Sequence, residues 1–142
     1  MARHIKCGKL FTGLGDGAEA GQTLVLDGDT IRYVGPSAGA PARAPSDEVI
    51  DHSDHFVMPG LIDMHVHMML LGHGDYRRWD DLYADQQVEL IMPIAAEQLP
   101  WSGVTSARDL GADPDDILAL RRRIASGSVP GPRLFVSGTP LQ

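Results

Sequence analysis

The spacing of apolar positions changes near Phe56. Before it, short aliphatic runs are broken by turn residues: Leu24-Val25-Leu26 and Ile31-Arg32-Tyr33-Val34 flank Asp27-Gly28-Asp29. An Asp-Gly pair between two such runs predicts a β-hairpin. Ile5 to Phe11 and Glu48 to Asp51 are read as further strands, and the Pro-, Ala- and Gly-rich stretch 35–45 as a loop. Gly13-Leu14-Gly15-Asp16-Gly17 has the glycines of a phosphate-cradling loop. No helical pattern and no Lys-Ser or Lys-Thr pair follows it, so it reads as a turn.

After Phe56, strands alternate with helices, the rhythm of βα units around a parallel sheet. Leu61 to Val66 is the first strand, followed by a long loop and a helix around 86–99, where Val88, Ile91, Ala95 and Leu99 recur at helical spacing. Pro93 inside that pattern predicts a kink. Val104 to Arg108 is the second strand. The next helix is punctuated at both ends, with Asp113 as N-cap, Pro114 at the first helical position, Asp115 and Asp116 in the first turn and Gly127 past the end. Arg133 to Ser137 is the third strand. Three parallel strands with two helices leave an open edge and an uncovered face. A closed (β/α)8 barrel takes roughly 250 residues, so the expectation is the first part of something larger.

Composition narrows the classes. The 142 residues are 43% hydrophobic and 22% charged, which suits a folded globular chain. A formal charge of −7 argues against a nucleic-acid or anionic-membrane partner. Arg121, Arg122 and Arg123 read as the solvated, C-terminal end of a helix. The single cysteine, Cys7, has no partner for an intramolecular disulfide, and MARHIKCGKL lacks the apolar run of a secretory signal, so the cytoplasm is expected. The longest apolar stretch, Val66 to Leu71, is far short of the roughly 20 residues a membrane helix needs.

The chemistry concentrates at the end of the first parallel strand. In a strand, residues two apart share a face, so His65 and His67 project two imidazoles in one direction and are a candidate metal pair. On spacing alone, two hydrogen-bonded core histidines are an equal reading. Asp63 shares that face and is a candidate to orient an imidazole. Asp109 ends the second strand and is a candidate catalytic or site-lining carboxylate, while Arg108 faces the other way and is read as pairing with a helix. His73, Tyr76 and Trp79 fall in the loop after the first strand, where barrel folds line substrate pockets. His4, His52 and His55 precede the barrel and read as ordinary surface or core residues, and Met64, Met68 and Met69 as gap-filling core.

The context of the two histidines is Pro59-Gly60-Leu61-Ile62-Asp63-Met64-His65-Val66-His67. Together with Gly103-Val104-Thr105-Ser106-Ala107-Arg108-Asp109-Leu110-Gly111 and Gly131-Pro132-Arg133-Leu134-Phe135-Val136-Ser137-Gly138, it resembles the amidohydrolase superfamily, in its imidazolonepropionase-like and prolidase-like branch. The resemblance implies an α/β fold in which residues 1–58 are part of a small β-sandwich domain and 59–142 are the first three strands of a metal-dependent (β/α)8 barrel. It further implies hydrolysis of an amide or peptide C–N bond by water on one or two divalent ions, zinc first, with iron, manganese, nickel or cobalt as alternatives. His65 and His67 would be ligands of the more buried ion. The family's bridging lysine, two further histidines and catalytic aspartate lie on later strands; the chain's lysines are Lys6 and Lys9, both ahead of the barrel. A second polypeptide or C-terminal fragment is therefore expected to complete the barrel and ligand set, in an oligomer acting on a small-molecule or peptide substrate. The alternatives are a lactone, ester or phosphoester hydrolase on the same scaffold, and a noncatalytic metal-binding or interaction fragment.

Overall fold

Gly28 sits at the first central position of a two-residue turn with φ +57°, a conformation open to glycine, and the chain reverses there as the Asp-Gly signal predicts. In the computed structural model, which describes residues 1–71 and 75–139 and leaves out the side chains of Tyr76, Trp79 and Asp80, the chain divides into two units, Met1–Pro59 and Gly60–Gln142.

The first unit is a four-stranded mixed sheet in the order β3-β2-β1-β4, built from β1 (Ala2–Leu10), β2 (Glu19–Asp27), β3 (Thr30–Pro36) and β4 (Glu48–Val57). The hairpin pairs β2 with β3, β1 joins β2 antiparallel, and β4 lies parallel to β1. Register between β1 and β4 jumps from Cys7↔His52 to Lys9↔Phe56, so three residues of β4 oppose Gly8 alone. A side chain at Gly8 would land on the Ser53 carbonyl oxygen, which is why glycine stands there. Cys7, Leu10 and Val25 are buried, and buried His4 lies 3.6 Å from Asp47.

The second unit is a three-stranded parallel sheet in the order β5-β6-β7, made of β5 (Leu61–Val66), β6 (Val104–Asp109) and β7 (Arg133–Val136). Helices α2 (Met92–Trp101) and α3 (Pro114–Ala125) connect the strands. Ala107 and Leu134 from the sheet are buried with Met92, Ala95 and Ala96 of α2 and Ile117 and Leu120 of α3. The i, i+3, i+4 spacing in each helix gives one apolar stripe against the sheet. Asp113 caps α3 by accepting from the Asp115 and Asp116 amides at 2.9 and 3.3 Å. At the other end Gly127, at φ +77°, donates to Ile124 and Ser128 to Arg123, the paired bonds of a Schellman cap.

Two expectations are corrected. The segment 86–99 is not one kinked helix: a 3-10 turn (Ala84–Gln86) and a π turn (Gln87–Ile91) precede α2. Pro93 lies in the first turn of α2, where its missing N–H is not called on, so it starts a helix instead of bending one. The long loop after β5 contains α1 (Tyr76–Tyr83), with the Asp75 side chain accepting from the Arg78 amide at 3.2 Å. Eight residues are too few for an apolar period to stand out. No helix among the described residues is long and apolar enough to cross a membrane.

Candidate metal centre

The register of β5 on β6 sets the site. Asp63 pairs with Ala107 and Val66 with Asp109, so β5 spends one more residue than β6 over this interval and its ladder is interrupted around His65. The freed His65 N–H donates to Asp63 Oδ1 at 3.0 Å, and Arg108 Nε donates to the Met64 carbonyl at 3.1 Å. Asp63 therefore holds the backbone of His65, where an imidazole partner was anticipated, and Arg108 bonds a strand carbonyl, where a helix partner was anticipated.

His67 stands one residue past the end of β5, where the chain turns. Its Nδ1 lies 3.3 Å from the Gly111 carbonyl oxygen, which can only accept, so this contact is a hydrogen bond in the tautomer with its proton on Nδ1, which leaves a lone pair at Nε2. That lone pair faces His65 Nε2 at 3.3 Å, with ring centroids 5.2 Å apart and planes at 67°. Two nitrogens bound at about 2.0–2.1 Å to one tetrahedral ion stand about 3.3 Å apart, so the pair fits a shared metal. The bond from His67 Nδ1 to a backbone carbonyl is the support that metal-binding histidines commonly use.

Asp109 is fully buried beside this pair without reaching it. Its Oδ2 accepts from the Met68 amide at 2.7 Å and its Oδ1 from the Gly111 amide at 3.0 Å. It thus ties the residue after His67 to the residue whose carbonyl orients His67. The sequence offered no sign of this latch beyond a carboxylate at a strand end. His73 lies outside the described residues; Tyr76 and Trp79 are in the first half of α1, with their side chains outside the description. Met68 is core, Met69 packs against it, and Met64 is half-exposed. Burial pushes the Cys7 thiol up from its ordinary range, which makes it a poor nucleophile. Among the described residues, no group of three or more His, Cys, Asp or Glu side chains is placed to hold an ion.

Residues 56–142 match the sequence pattern described as the amidohydrolase family. The 5-methylthioadenosine/S-adenosylhomocysteine deaminase of Moorella thermoacetica is 36% identical over 66 residues, 46% of this chain and 15% of that protein. The imidazolonepropionase of Arthrobacter sp. (strain FB24) is 35% identical over 99 residues, 68% of this chain and 21% of that protein. The solved structure of a Xaa-Pro dipeptidase with bound methionine in its active site is 29% identical with a TM-score of 0.79, over 98% of this chain and 34% of that one. The chain thus spans between 15% and 34% of the length of these three proteins.

Proposed function

This chain belongs to the amidohydrolase family, and from that premise we propose that His65 and His67 are two ligands of a divalent metal in a hydrolase that cleaves an amide or peptide C–N bond. The observation that carries the reading is the 3.3 Å approach of the two Nε2 atoms, with His67 Nδ1 set against the Gly111 carbonyl, a contact that suits the tautomer with Nε2 bare. Such an ion supplies an acidified water and an electrophile for the scissile carbonyl. The chain's own contribution is positional. Gly111 holds the His67 ring by its carbonyl, Asp63 holds the His65 backbone, and Asp109 holds the turn between them and β6.

Zinc is the first choice for two imidazoles, with iron, manganese, nickel and cobalt compatible with the same donors. Catalytic zinc takes three protein ligands, and the described residues bring two together; a second polypeptide or C-terminal fragment is the proposed source of the rest. The relatives named as deaminase, imidazolonepropionase and Xaa-Pro dipeptidase all point to C–N bonds, and the dipeptidase likeness favours a small peptide-like substrate.

The test is metal content and hydrolysis together. His65→Ala and His67→Ala are expected to lose bound zinc in native mass spectra and to lose hydrolysis of a panel of dipeptides and acyl amides. Full zinc occupancy in both variants would overturn the assignment.

A further inference from the structure

The peptide group between Met64 and His65 is out of the β5–β6 ladder, yet both of its polar atoms are taken by side chains. Arg108 Nε donates to its carbonyl at 3.1 Å and Asp63 Oδ1 accepts its N–H at 3.0 Å. We propose that Arg108, acting with Asp63, is a positioning residue for the metal site: the two side chains clamp this peptide and so aim His65 Nε2 at His67. The inference rests on the reading of the two histidines as metal ligands.

The physical argument is one of constraint. A peptide plane gripped at one end can still rotate about the flanking bonds, and the direction of the His65 side chain rotates with it. Asp63 is only two residues from His65 and its bond is local, so by itself it ties His65 to β5 alone. Arg108, on β6, is 44 residues from Met64, and its bond indexes the plane to the neighbouring strand. His67 is indexed to the same strand end by the Gly111 carbonyl, also 44 residues away. One histidine is thus placed through Arg108 and the other through Gly111, and the gap between their Nε2 atoms depends on both. Both clamp bonds involve a charged group, which sharpens their geometry. The Arg108 bond is exposed to solvent, so its contribution to overall stability is small and its effect is chiefly on direction.

The substitutions that separate aim from stability preserve or delete the hydrogen-bonding group at each end of the clamp. Arg108→Gln keeps an N–H donor the same number of bonds from the backbone as Arg Nε, whereas Arg108→Met removes it. Asp63→Asn keeps an acceptor, and Asp63→Ala removes it. In the intact metal-loaded protein, Arg108→Met and Asp63→Ala are expected to weaken zinc binding by about 10- to 100-fold, measured by competition with a chromophoric chelator. Arg108→Gln and Asp63→Asn should recover it to within a few-fold, and the visible absorption of the cobalt-substituted protein should change in the deletion variants only. The unfolding midpoint of metal-free protein should barely move. The proposal is overturned if Arg108→Met binds zinc like the wild type, if Arg108→Gln is as weak as Arg108→Met, or if lost affinity tracks a fall in the metal-free midpoint. Should Arg108→Met not fold, the Asp63 pair decides in the same way. His65→Ala is measured alongside: zinc retained there removes the metal reading itself, while zinc lost there and kept in Arg108→Met removes only the clamp.

Discussion

Asp109 shows how one side chain carries a site it does not enter. Both of its oxygens accept buried backbone N–H groups, from Met68 and Gly111. Truncation to alanine strands both donors where water does not reach, and each orphan costs about 1–3 kcal/mol. Asp109→Ala is therefore expected to lower stability in chemical denaturation by about 3 kcal/mol, with loss of bound metal. Unchanged stability would show that the two amides find other partners. At this scale the sequence was only partly legible. The His-x-His spacing marked the two imidazoles, because period two is a property of any strand. The latch and the clamp were hidden, because both depend on how β6 is shifted along β5, and an irregular register leaves no mark in either segment alone. The strand alternation that put Asp63 and His65 on one face also concealed that Asp63 bonds the backbone there.

At the scale of elements, the helix with its own end signals was the legible one. The caps of α3 are local chemistry: a carboxylate over two amides and a glycine at φ +77°. Replacing Gly127 by Val forces a β-branched residue into the left-handed region. The expected loss is about 1–2 kcal/mol in thermal or urea unfolding. The space around Gly127 is open, so this loss would come from the backbone and not from a clash. An unchanged midpoint would place the helix end elsewhere. The segment from Tyr76 to Trp101 was less legible, since its α, 3-10 and π turns differ in hydrogen-bond span, which the spacing of apolar residues does not report. Pro93 there was read as a kink within one helix, and the residues beside it do not say that the α-helix begins at the proline.

For the molecule as a whole, the fold class was readable because the change of hydrophobic period at Phe56 falls next to the division between the two units at Pro59. Their acid sensitivity is expected to differ. In the first unit, the backbone amides of Ala44 and Ala2 hold the Asp47 carboxyl below its ordinary range, and the hydroxyl and amide of Ser53 do the same for Asp51. A carboxyl depressed on folding adds stability above its unfolded value, near pH 4, and loses it as the pH falls through the folded value. Monitored from pH 7 to pH 2, the sheet of the first unit should loosen below about pH 4, and Asp47→Asn should flatten that limb. A limb of equal slope in the variant would assign the acid response to other groups.

The bonds that fix the two histidines carry a consequence for the order of assembly. Arg108 to Met64, His67 to Gly111 and Met68 to Asp109 each join residues 41 to 44 positions apart. Closing loops of that size is an entropic cost met only after collapse, and contacts of high sequence separation slow folding. As the polypeptide leaves the ribosome, both imidazoles are therefore made well before the strand that aims them, and a nascent chain halted ahead of β6 would hold its histidines without a fixed gap between them. On the proposed metal reading, ion capture becomes a late event that reports a docked sheet.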